Sequence, residues 1–213
     1  MRTAALILCA ALLAPAAGRA GEPWVEATDI VHHPFSADFD AGGRLHLEIR
    51  SGEIRIIGTA DPKVTVALSG WKAHDEKAKK VKVKFRRDGR DGEMKVSGGP
   101  SNDLTITIRI PSETDLYARI PFGDVSIEAV RGSHDVEVHA GDLTIQVADP
   151  KEYAHVDASV TAGDLDGGPF DEYRDGLFNK FRFDGGGRYR LHAHVGAGDL
   201  LFEASPKAAA ALR

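Results

Sequence analysis

The sequence predicts an all-β protein, built as a β-solenoid-like stack of two-strand units. Apolar and polar residues alternate along nearly every segment after residue 40, as they do in strands with one wet face. Clusters of Gly, Pro, Asp and Ser separate these segments. A phrase of glycine, an acidic residue and an apolar residue opens a strand at each recurrence, and such a repeat is typical of stacked units. The copies begin at Gly52, Gly123, Gly141, Gly163 and Gly198.

The first element, residues 1–20, has the pattern of a cleavable signal peptide. Arg2 supplies a positive start, residues 4–13 form an apolar run, and Gly18 and Ala20 place small residues at the −3 and −1 positions of a cleavage site. Small residues further upstream also permit an earlier cut. The apolar run is about half as long as a membrane-spanning helix requires. We therefore expect an exported protein, periplasmic or secreted, with no transmembrane segment.

The composition limits the classes of protein to which the rest of the chain can belong. The single cysteine, Cys9, lies inside the signal peptide behind the large Leu8, which disfavours lipidation and leaves no disulfide after cleavage. An exported chain of this length without disulfides must be stabilised by its own core, and it fits a bacterial envelope protein. The net charge of −5 argues against a nucleic-acid binder. We expect an N-terminal lead-in over residues 21–40, one domain over 41–204 and a C-terminal tail over 205–213.

Nine segments with period-two alternation follow in order. Their apolar side chains point to one face and their polar side chains to the other, which predicts sheets with one buried face. Residues 73–80 offer a helical turn or two at most. The apolar positions of the nine predicted strands are Leu45, Leu47 and Ile49; Val64, Val66 and Leu68; Val81, Val83 and Phe85; Leu104, Ile106, Ile108 and Ile110; Val125 and Ile127; Val136 and Val138; Leu143, Ile145 and Val147; Val156, Ala158 and Val160; and Tyr189, Leu191, Ala193 and Val195.

The glycine-acid phrase predicts a corner between strands. Glycine accepts the positive φ of a tight corner, and the following carboxylate can accept hydrogen bonds from backbone N–H groups freed there. If units stack, the corners line up along one edge. A two-residue hairpin turn also fits the phrase and would give an antiparallel β-sandwich or meander instead. The uneven spacing of the last copies locates a Gly-, Asp- and aromatic-rich insertion at residues 166–179.

The layout resembles a bacterial putative-adhesin family related to the head domains of some auto-transporter adhesins. The resemblance spans residues 34–204 and implies a right-handed β-solenoid-like fold in the cell envelope, with no catalytic residue to carry over. The matching residues are Ser51-Gly52-Glu53-Ile54-Arg55-Ile56-Ile57-Gly58, Thr105-Ile106-Thr107-Ile108-Arg109-Ile110-Pro111, Phe122-Gly123-Asp124-Val125 and Gly196-Ala197-Gly198-Asp199-Leu200.

Histidines are the first candidates for chemistry. His192 and His194 lie two apart on one predicted strand and share a face, while His139 and His155 lie near the ends of other strands. Stacked units could bring these imidazoles together as metal ligands. Their apolar neighbours alternate with them, however, so solvated surface histidines are the favoured interpretation and no metal ligand is assigned. The pair His32-His33 near the mature N-terminus is a weaker candidate.

Acidic residues form the second candidate group. They crowd the insertion, but the spacing does not fit an EF-hand, because Gly168 and Pro169 occupy the fifth and sixth positions counted from Asp164. Corner carboxylates hydrogen-bonded to backbone and screened by solvent are the simpler interpretation; a shared cation is the alternative. The crowded residues are Asp164, Asp166, Asp171, Glu172 and Asp175.

A basic stretch is the third candidate. Its valines and Phe85 are predicted to face inward and its lysines outward, with a hairpin turn at residues 87–92. We favour an edge strand protected from sheet-to-sheet pairing by its lysines. A face for anionic lipid or polysaccharide is the functional alternative. The basic residues are Lys72, Lys77, Lys79, Lys80, Lys82, Lys84, Arg86, Arg87, Arg90 and Lys95.

The sequence contains none of three common catalytic motifs: the G-x-S-x-G elbow, H-E-x-x-H and the P-loop. We therefore expect a non-enzymatic, exported envelope or surface protein, an adhesive or structural module without catalytic residues or cofactor. Expected partners are an envelope polysaccharide, a lipid surface or another envelope protein. The alternatives are a carbohydrate-active enzyme on a similar scaffold, or a periplasmic metal or ligand binder using His139, His192 and His194.

Overall fold

The fold was obtained as a computed structural model that describes residues 22–70, 76, 78–99 and 104–205. The predicted signal peptide, Lys72, Lys77 and most of the predicted tail lie outside the described residues. Short 3-10 turns cover Ala78–Lys80, Pro150–Glu152 and Gly168–Phe170. The strands are β1 Val25–Thr28, β2 Phe35–Asp38, β3 Gly43–Ile49, β4 Glu53–Thr59, β5 Lys63–Ser69, β6 Lys82–Asp88, β7 Asp91–Ser97, β8 Thr105–Pro111, β9 Thr114–Phe122, β10 Val125–Glu128, β11 His134–Ala140, β12 Leu143–Val147, β13 Tyr153–Ala162, β14 Leu165–Asp166, β15 Tyr173–Arg174, β16 Leu177–Asp184, β17 Tyr189–Ala197 and β18 Leu200–Ala204.

These strands form two mixed sheets, which confirms the all-β prediction. Sheet 1 has the order β1-β6-β7-β3-β9-β11-β17-β13-β16. Sheet 2, given from the same end, has the order β2-β5-β8-β4-β10-β12-β18-β14-β15. Parallel pairs occupy the centre of each sheet, and antiparallel pairs lie toward both ends. The two-sheet layout agrees with the sandwich alternative, although its central strands are parallel rather than antiparallel.

The core follows directly from the sequence alternation. In β11, Val136 and Val138 are fully buried while Asp135 and Glu137 remain partly exposed. The same alternation runs through β3, β9 and β17 in sheet 1 and through β12 and β18 in sheet 2. Each sheet therefore turns one apolar face inward, and the buried aliphatic side chains form one cluster between them.

The glycine-acid phrases carry the chain from sheet 1 to sheet 2. They join β3 to β4, β9 to β10, β11 to β12, β13 to β14, and β17 to β18. The strands on either side of each corner lie in different sheets and do not pair with each other. The hairpin interpretation of the phrase is therefore wrong, because a hairpin would place both strands side by side in one sheet.

The units do not stack in chain order, as successive coils of a simple solenoid would. The last unit, β17 with β18, lies between β11 with β12 and β13 with β14. The strands β7 and β8 likewise flank β3 and β4 on the side away from β9 and β10. The structure thus supports a stacked, sandwich-like arrangement of two sheets and does not show the predicted right-handed solenoid.

Consecutive corners of the stack are bonded to one another. The side chain of Asp124 accepts from the backbone N–H of Asp142 at 3.1 Å, Asp142 accepts from Asp199 at 2.8 Å, and Asp199 accepts from Asp164 at 2.8 Å. The corners line up along one edge, as the sequence predicts. Each carboxylate, however, satisfies an N–H of the neighbouring unit rather than of its own turn. This relay holds adjacent units at one register.

Glycine is required at these corners for two reasons. The corner glycines have φ between +126° and +137°, a region that side chains rarely adopt. A Cβ on Gly123 would also lie 2.0 Å from the carbonyl oxygen of Gly52, and one on Gly141 would lie 2.3 Å from that of Gly123. Stacked backbones therefore leave no room for a side chain.

The insertion closes one end of the stack. Phe170 from the third 3-10 turn contacts the rings of Tyr153, Phe181, Phe183 and Phe202, with centroids 5.1 to 6.1 Å apart. Of the aromatic residues of the insertion, Tyr173 and Phe178 are exposed, and Phe170 joins the end cluster between the last strands of both sheets. Its role in this structure is to cover the core.

The basic strand β6 differs from its prediction as an edge strand. Val83 and Phe85 are buried, and the chain turns back between Asp88 and Asp91, as expected. On its other side, however, β6 pairs with the short strand β1, so β1 is the edge. Alternation along β6 could not reveal this, because β1 belongs to a segment with little periodicity of its own. The outward lysines of β6 therefore belong to the interior of a sheet face.

One polar side chain is buried without a hydrogen-bond partner among the described residues. His134 begins β11 on its inward face, opposite Leu116 and Leu191, and is 2% exposed. Neither ring nitrogen has a partner. Burial lowers the pKa of His134 from 6.5 to about 4, against a smaller opposing effect of the Asp115 charge. The ring is therefore neutral in the folded protein at pH 7.

We predict that Gly141→Ala destabilises the protein by about 3 to 5 kcal/mol, from backbone strain and overpacking together. Gly186→Ala is the matched control, because nothing lies within 4 Å of its added Cβ, and it should change stability by less than about 0.5 kcal/mol. Denaturant unfolding of both variants measures the difference. Equal stabilities would contradict the corner packing described above.

We also predict that His134 makes the protein acid-sensitive. The unfolded chain binds a proton on this imidazole below about pH 6.5 and the folded protein only below about pH 4, so its contribution to stability is full above pH 6.5 and falls as the pH drops. Between pH 7 and pH 4 the loss is about 3 kcal/mol. His134→Leu should remove this part of the pH dependence, measured by urea unfolding at both pH values, whereas substitution of the exposed His33 should leave it intact.

Candidate binding surface

The outward side chains of sheet 1 form ordered rows, because neighbouring strands pair without slippage over most of their length. We call the set of outward residues in these strands the outer face of sheet 1. Two rows cross it from β6 to β16. The central row is Arg86, Glu93, His46, Tyr117, Asp135, His192, Asp157 and Arg182. The second row, two residues nearer the corners, is Lys84, Lys95, Glu48, Arg119, Glu137, His194, Ser159 and Lys180.

Positive and negative charges alternate along these rows and pair across strands. The Lys95 ammonium lies 2.9 Å from Glu48, and Arg182 lies 3.2 Å from Asp157. Arg119 contacts both Asp135, at 2.9 Å, and Glu137, at 3.2 Å. Exposed pairs of this kind contribute little stability each, about 0 to 1 kcal/mol. The register also places Lys84 opposite Lys95, and each of these lysines contacts a carboxylate on its other side, Glu26 and Glu48 respectively.

The ion pairs of this face lower the pKa of Glu93. Partial burial alone would raise its pKa, but hydrogen bonds from Arg86 and Lys95 outweigh that effect and hold the pKa of Glu93 below its ordinary value. Hydrogen bonds to Glu48 and Glu93 in turn raise the pKa of Lys95. This part of the outer face therefore stays charged and paired at neutral pH.

Two aromatic rings lie among these charges. Trp24 is 38% exposed, with the Arg86 guanidinium 4.6 Å from its ring centroid. Tyr117 has the Arg119 guanidinium at 3.7 Å and the ring of His46 at 4.9 Å. Cation–π contacts of this kind hold aromatic side chains in one orientation. The outer face thus offers fixed ring surfaces beside charged hydrogen-bonding groups.

The predicted histidines share this surface but have separate partners. His194 hydrogen-bonds Ser159 at 2.9 Å, and His155 contacts Asp184 at 2.6 Å. His192 lies opposite Asp135 and Asp157, while His139 lies nearer the corners. The structure therefore does not gather His139, His192 and His194 into one site. His32, near the mature N-terminus, contacts Asp29 at 2.9 Å.

One group among the described residues has the spacing for a metal ion. Ligand atoms of Asp135, Glu137 and His192 lie within 4.8 Å of one another. Arg119 already contacts both carboxylates, so a cation would have to displace a guanidinium. The arrangement therefore suits an ion-pair network better than a metal centre.

The acidic segment is accounted for by local contacts. Asp164 belongs to the corner relay, Asp166 accepts from the backbone of Gly168 at 2.8 Å, and Glu172 pairs with Arg174 at 2.7 Å. Nearby carboxylates, Asp164 first, raise the pKa of the exposed Tyr173. The corner edge is thus electronegative.

A groove lies at the corner end of the outer face of sheet 1. We call it the corner groove; it has a volume of about 750 Å³ and crosses β6, β7, β3, β9 and β11. Short outward residues, Ser97 and Pro121, follow the long Lys95 and Arg119 on the same strands, which leaves the surface concave there. Its polar lining consists of Glu48, Arg50, Lys84, Lys95, Ser97, Arg119, Glu137 and His139.

Sequence reasoning singled out Lys84, Lys95 and His139 of this groove but missed Arg50, Arg119 and the nearby Trp24. Arg50 follows the last residue of β3, and Arg119 faces outward in a strand assigned only by its apolar neighbours. The outward positions of successive strands were visible in the sequence. What was missing was the order of the strands, which decides which outward residues become neighbours.

We predict a measurable coupling between Arg119 and Asp135. A double-mutant cycle of Arg119→Ala and Asp135→Ala, read by denaturant unfolding at low salt, should give a coupling energy of about 0.5 to 1 kcal/mol that decreases at high salt. The same cycle between Arg119 and the distant Asp38 is the control and should give no coupling. Equal values in the two cycles would contradict the pairing.

Among the described residues, no helix has the length and apolarity to cross a membrane.

No protein-family model and no curated protein matches the sequence. Two solved structures resemble the fold at low identity. One is a putative cell adhesion protein from Clostridium sporogenes, with 13% identity and a TM-score of 0.47 over 80% of this chain and 98% of that chain. The other is a putative adhesin from Bacteroides fragilis, with 8% identity and a TM-score of 0.30 over 79% and 96%. At these values we assign the chain to no family.

Proposed function

We propose that this chain is an exported, non-enzymatic adhesion module of a bacterial envelope or surface, and that it binds a polysaccharide through the outer face of sheet 1. The observation that carries the proposal is the combination on one broad surface of orientated aromatic rings and paired charges. An extended face of this kind suits an extended polymer that contacts several strands at once.

The chemistry of the face favours a polysaccharide among the expected partners. Sugar hydroxyl groups can donate to carboxylates such as Glu48 and accept from cations such as Lys95. Flat rings such as Trp24 and Tyr117 provide apolar area with little loss of side-chain freedom on binding. Carboxylates interleaved along the central and second rows would repel the phosphates of a nucleic acid or an anionic membrane.

The ion pairs also support a binding role over hydrolysis. A glycoside hydrolase needs two carboxyl groups with different roles, one of which donates a proton. Asp135 and Glu137 are the adjacent pair on this face, and both contact the same guanidinium of Arg119. This arrangement supports fixed hydrogen-bond acceptors, which a binding surface uses.

Binding of the purified protein, without residues 1–20, to a panel of acidic and neutral polysaccharides tests the proposal. Affinity electrophoresis should show retardation by at least one polymer. Trp24→Ala should weaken that binding about five- to tenfold, as expected for loss of one aromatic contact. Tyr173→Ala is the matched control, because Tyr173 is exposed at the end of sheet 2.

A second measurement concerns the cell. Deletion of the gene should reduce attachment or envelope integrity, and the Trp24→Ala protein should restore less of it than the Tyr173→Ala protein. Lack of retardation by every polymer, or equal effects of the two substitutions, would contradict a binding role for the outer face of sheet 1.

A further inference from the structure

We propose that the corner groove binds the anionic group of an acidic polysaccharide, a carboxylate or sulfate, with Arg50 as its main contact. This inference rests on the proposed function and adds the chemical class of the ligand and the place where it binds. It is carried by the distribution of free and paired charges around the groove.

The inner wall of the groove is internally neutralised. Its cations are engaged: Lys84 lies 3.1 Å from Glu26, Lys95 lies 2.9 Å from Glu48, and Arg119 contacts two carboxylates. Arg119 also donates to the backbone carbonyls of Ala118 and Asp135 at 3.0 Å. These side chains are held in place and give the wall a fixed shape.

The outer wall, toward the corners, has a different composition. We call the outward residues there the corner row: Ser97, Arg50, Pro121 and His139, which line the groove, and Lys82, which lies beside it opposite Ser97. Within the described part of the chain, the exposed side chains of Lys82, Arg50 and His139 make no ion pair or hydrogen bond. The corner row contains no carboxylate. The groove is therefore bounded by paired charges on one side and by unpaired cationic or neutral donors on the other.

The short residues of the corner row provide the space for a ligand. Ser97 and Pro121 flank Arg50 on the neighbouring strands β7 and β9, and both line the groove. An oxyanion above them can reach the guanidinium of Arg50, whose planar donors match a carboxylate or sulfate in a bidentate contact. The hydroxyl of Ser97 can add a further donor.

The corner aspartates do not cancel this attraction from inside the groove. Asp124 and Asp142 line a separate groove on sheet 2 together with Glu53 and Arg55. The carboxylates that do line the corner groove, Glu48 and Glu137, already contact Lys95 and Arg119, but each can accept further hydrogen bonds, which sugar hydroxyls supply and lipid phosphates do not. The mixed lining therefore favours an acidic polysaccharide over an anionic membrane.

The decisive comparison uses polymers that differ in charge alone. Polygalacturonate and its methyl-esterified form share a backbone, and dextran sulfate and dextran form a second such pair. Affinity electrophoresis or calorimetry uses the purified protein without residues 1–20. In at least one pair, the acidic polymer should bind at least about tenfold more tightly than the neutral polymer. Binding should weaken as salt is raised.

Three variants locate the contact. Arg50→Gln should weaken binding of the acidic polymer about tenfold or more, as expected for loss of a charge-assisted bidentate contact. Arg50→Lys should restore part of it. Arg109→Gln is the matched control, an exposed arginine in β8 of sheet 2, away from the proposed binding surface, and should change affinity less than about twofold. Equal thermal unfolding midpoints would show that all three variants are folded.

The outcomes separate this inference from the proposed function. Equal binding of acidic and esterified polymer, or equal effects of Arg50→Gln and Arg109→Gln, would overturn the groove assignment and leave polysaccharide binding in place. Failure of every polymer to bind would overturn both. Arg50-dependent binding to phosphatidylglycerol vesicles without binding to the acidic polymers would replace the polysaccharide with a membrane and overturn the inference.

Discussion

The stacked corners are the constraint on which the rest of the structure depends. At Gly123, Gly141, Gly163 and Gly198 the backbone lies against the carbonyl of a neighbouring corner, where a Cβ would lie 2.0 to 2.3 Å from that oxygen. The side chains of Asp124, Asp142 and Asp199 each accept the N–H of the next unit. Because both contacts fix the height and the register of neighbouring units, every strand that leaves a corner starts from a set position.

The surface chemistry follows from that register. With the strands aligned from their corner ends, outward residues of separate segments meet in rows, so that Arg119 of β9 contacts Asp135 and Glu137 of β11. The corner row lies next to the turns, where short residues such as Ser97 and Pro121 alternate with longer ones. The stacked corners position the backbone, and they thereby determine which side chains can contact one ligand together.

Local features were predictable from the sequence, whereas the neighbours were not. The buried positions of β11 and the crossing role of Gly141 could be predicted, because alternation and the need for a positive φ are properties of a few consecutive residues. The position of β17 between β11 and β13 could not be predicted, because the units have similar strand edges and any two of them could pair. The same limit hid which residues lie beside Arg50 and Trp24, since these neighbours depend on strand order, and it made β6 look like an edge strand.

The out-of-order unit has a consequence for when the chain can fold. Among the described strands, β13 pairs with β16 and β17 alone, and the far side of β11 also pairs with β17, so all of these contacts await residues near the end of the chain. Because β17 begins at Tyr189 of 213 residues, most of the polypeptide is made before the stack can close, and such sequence-distant pairing is slow. The topology of this chain thus postpones closure of its stack until its last strands are made.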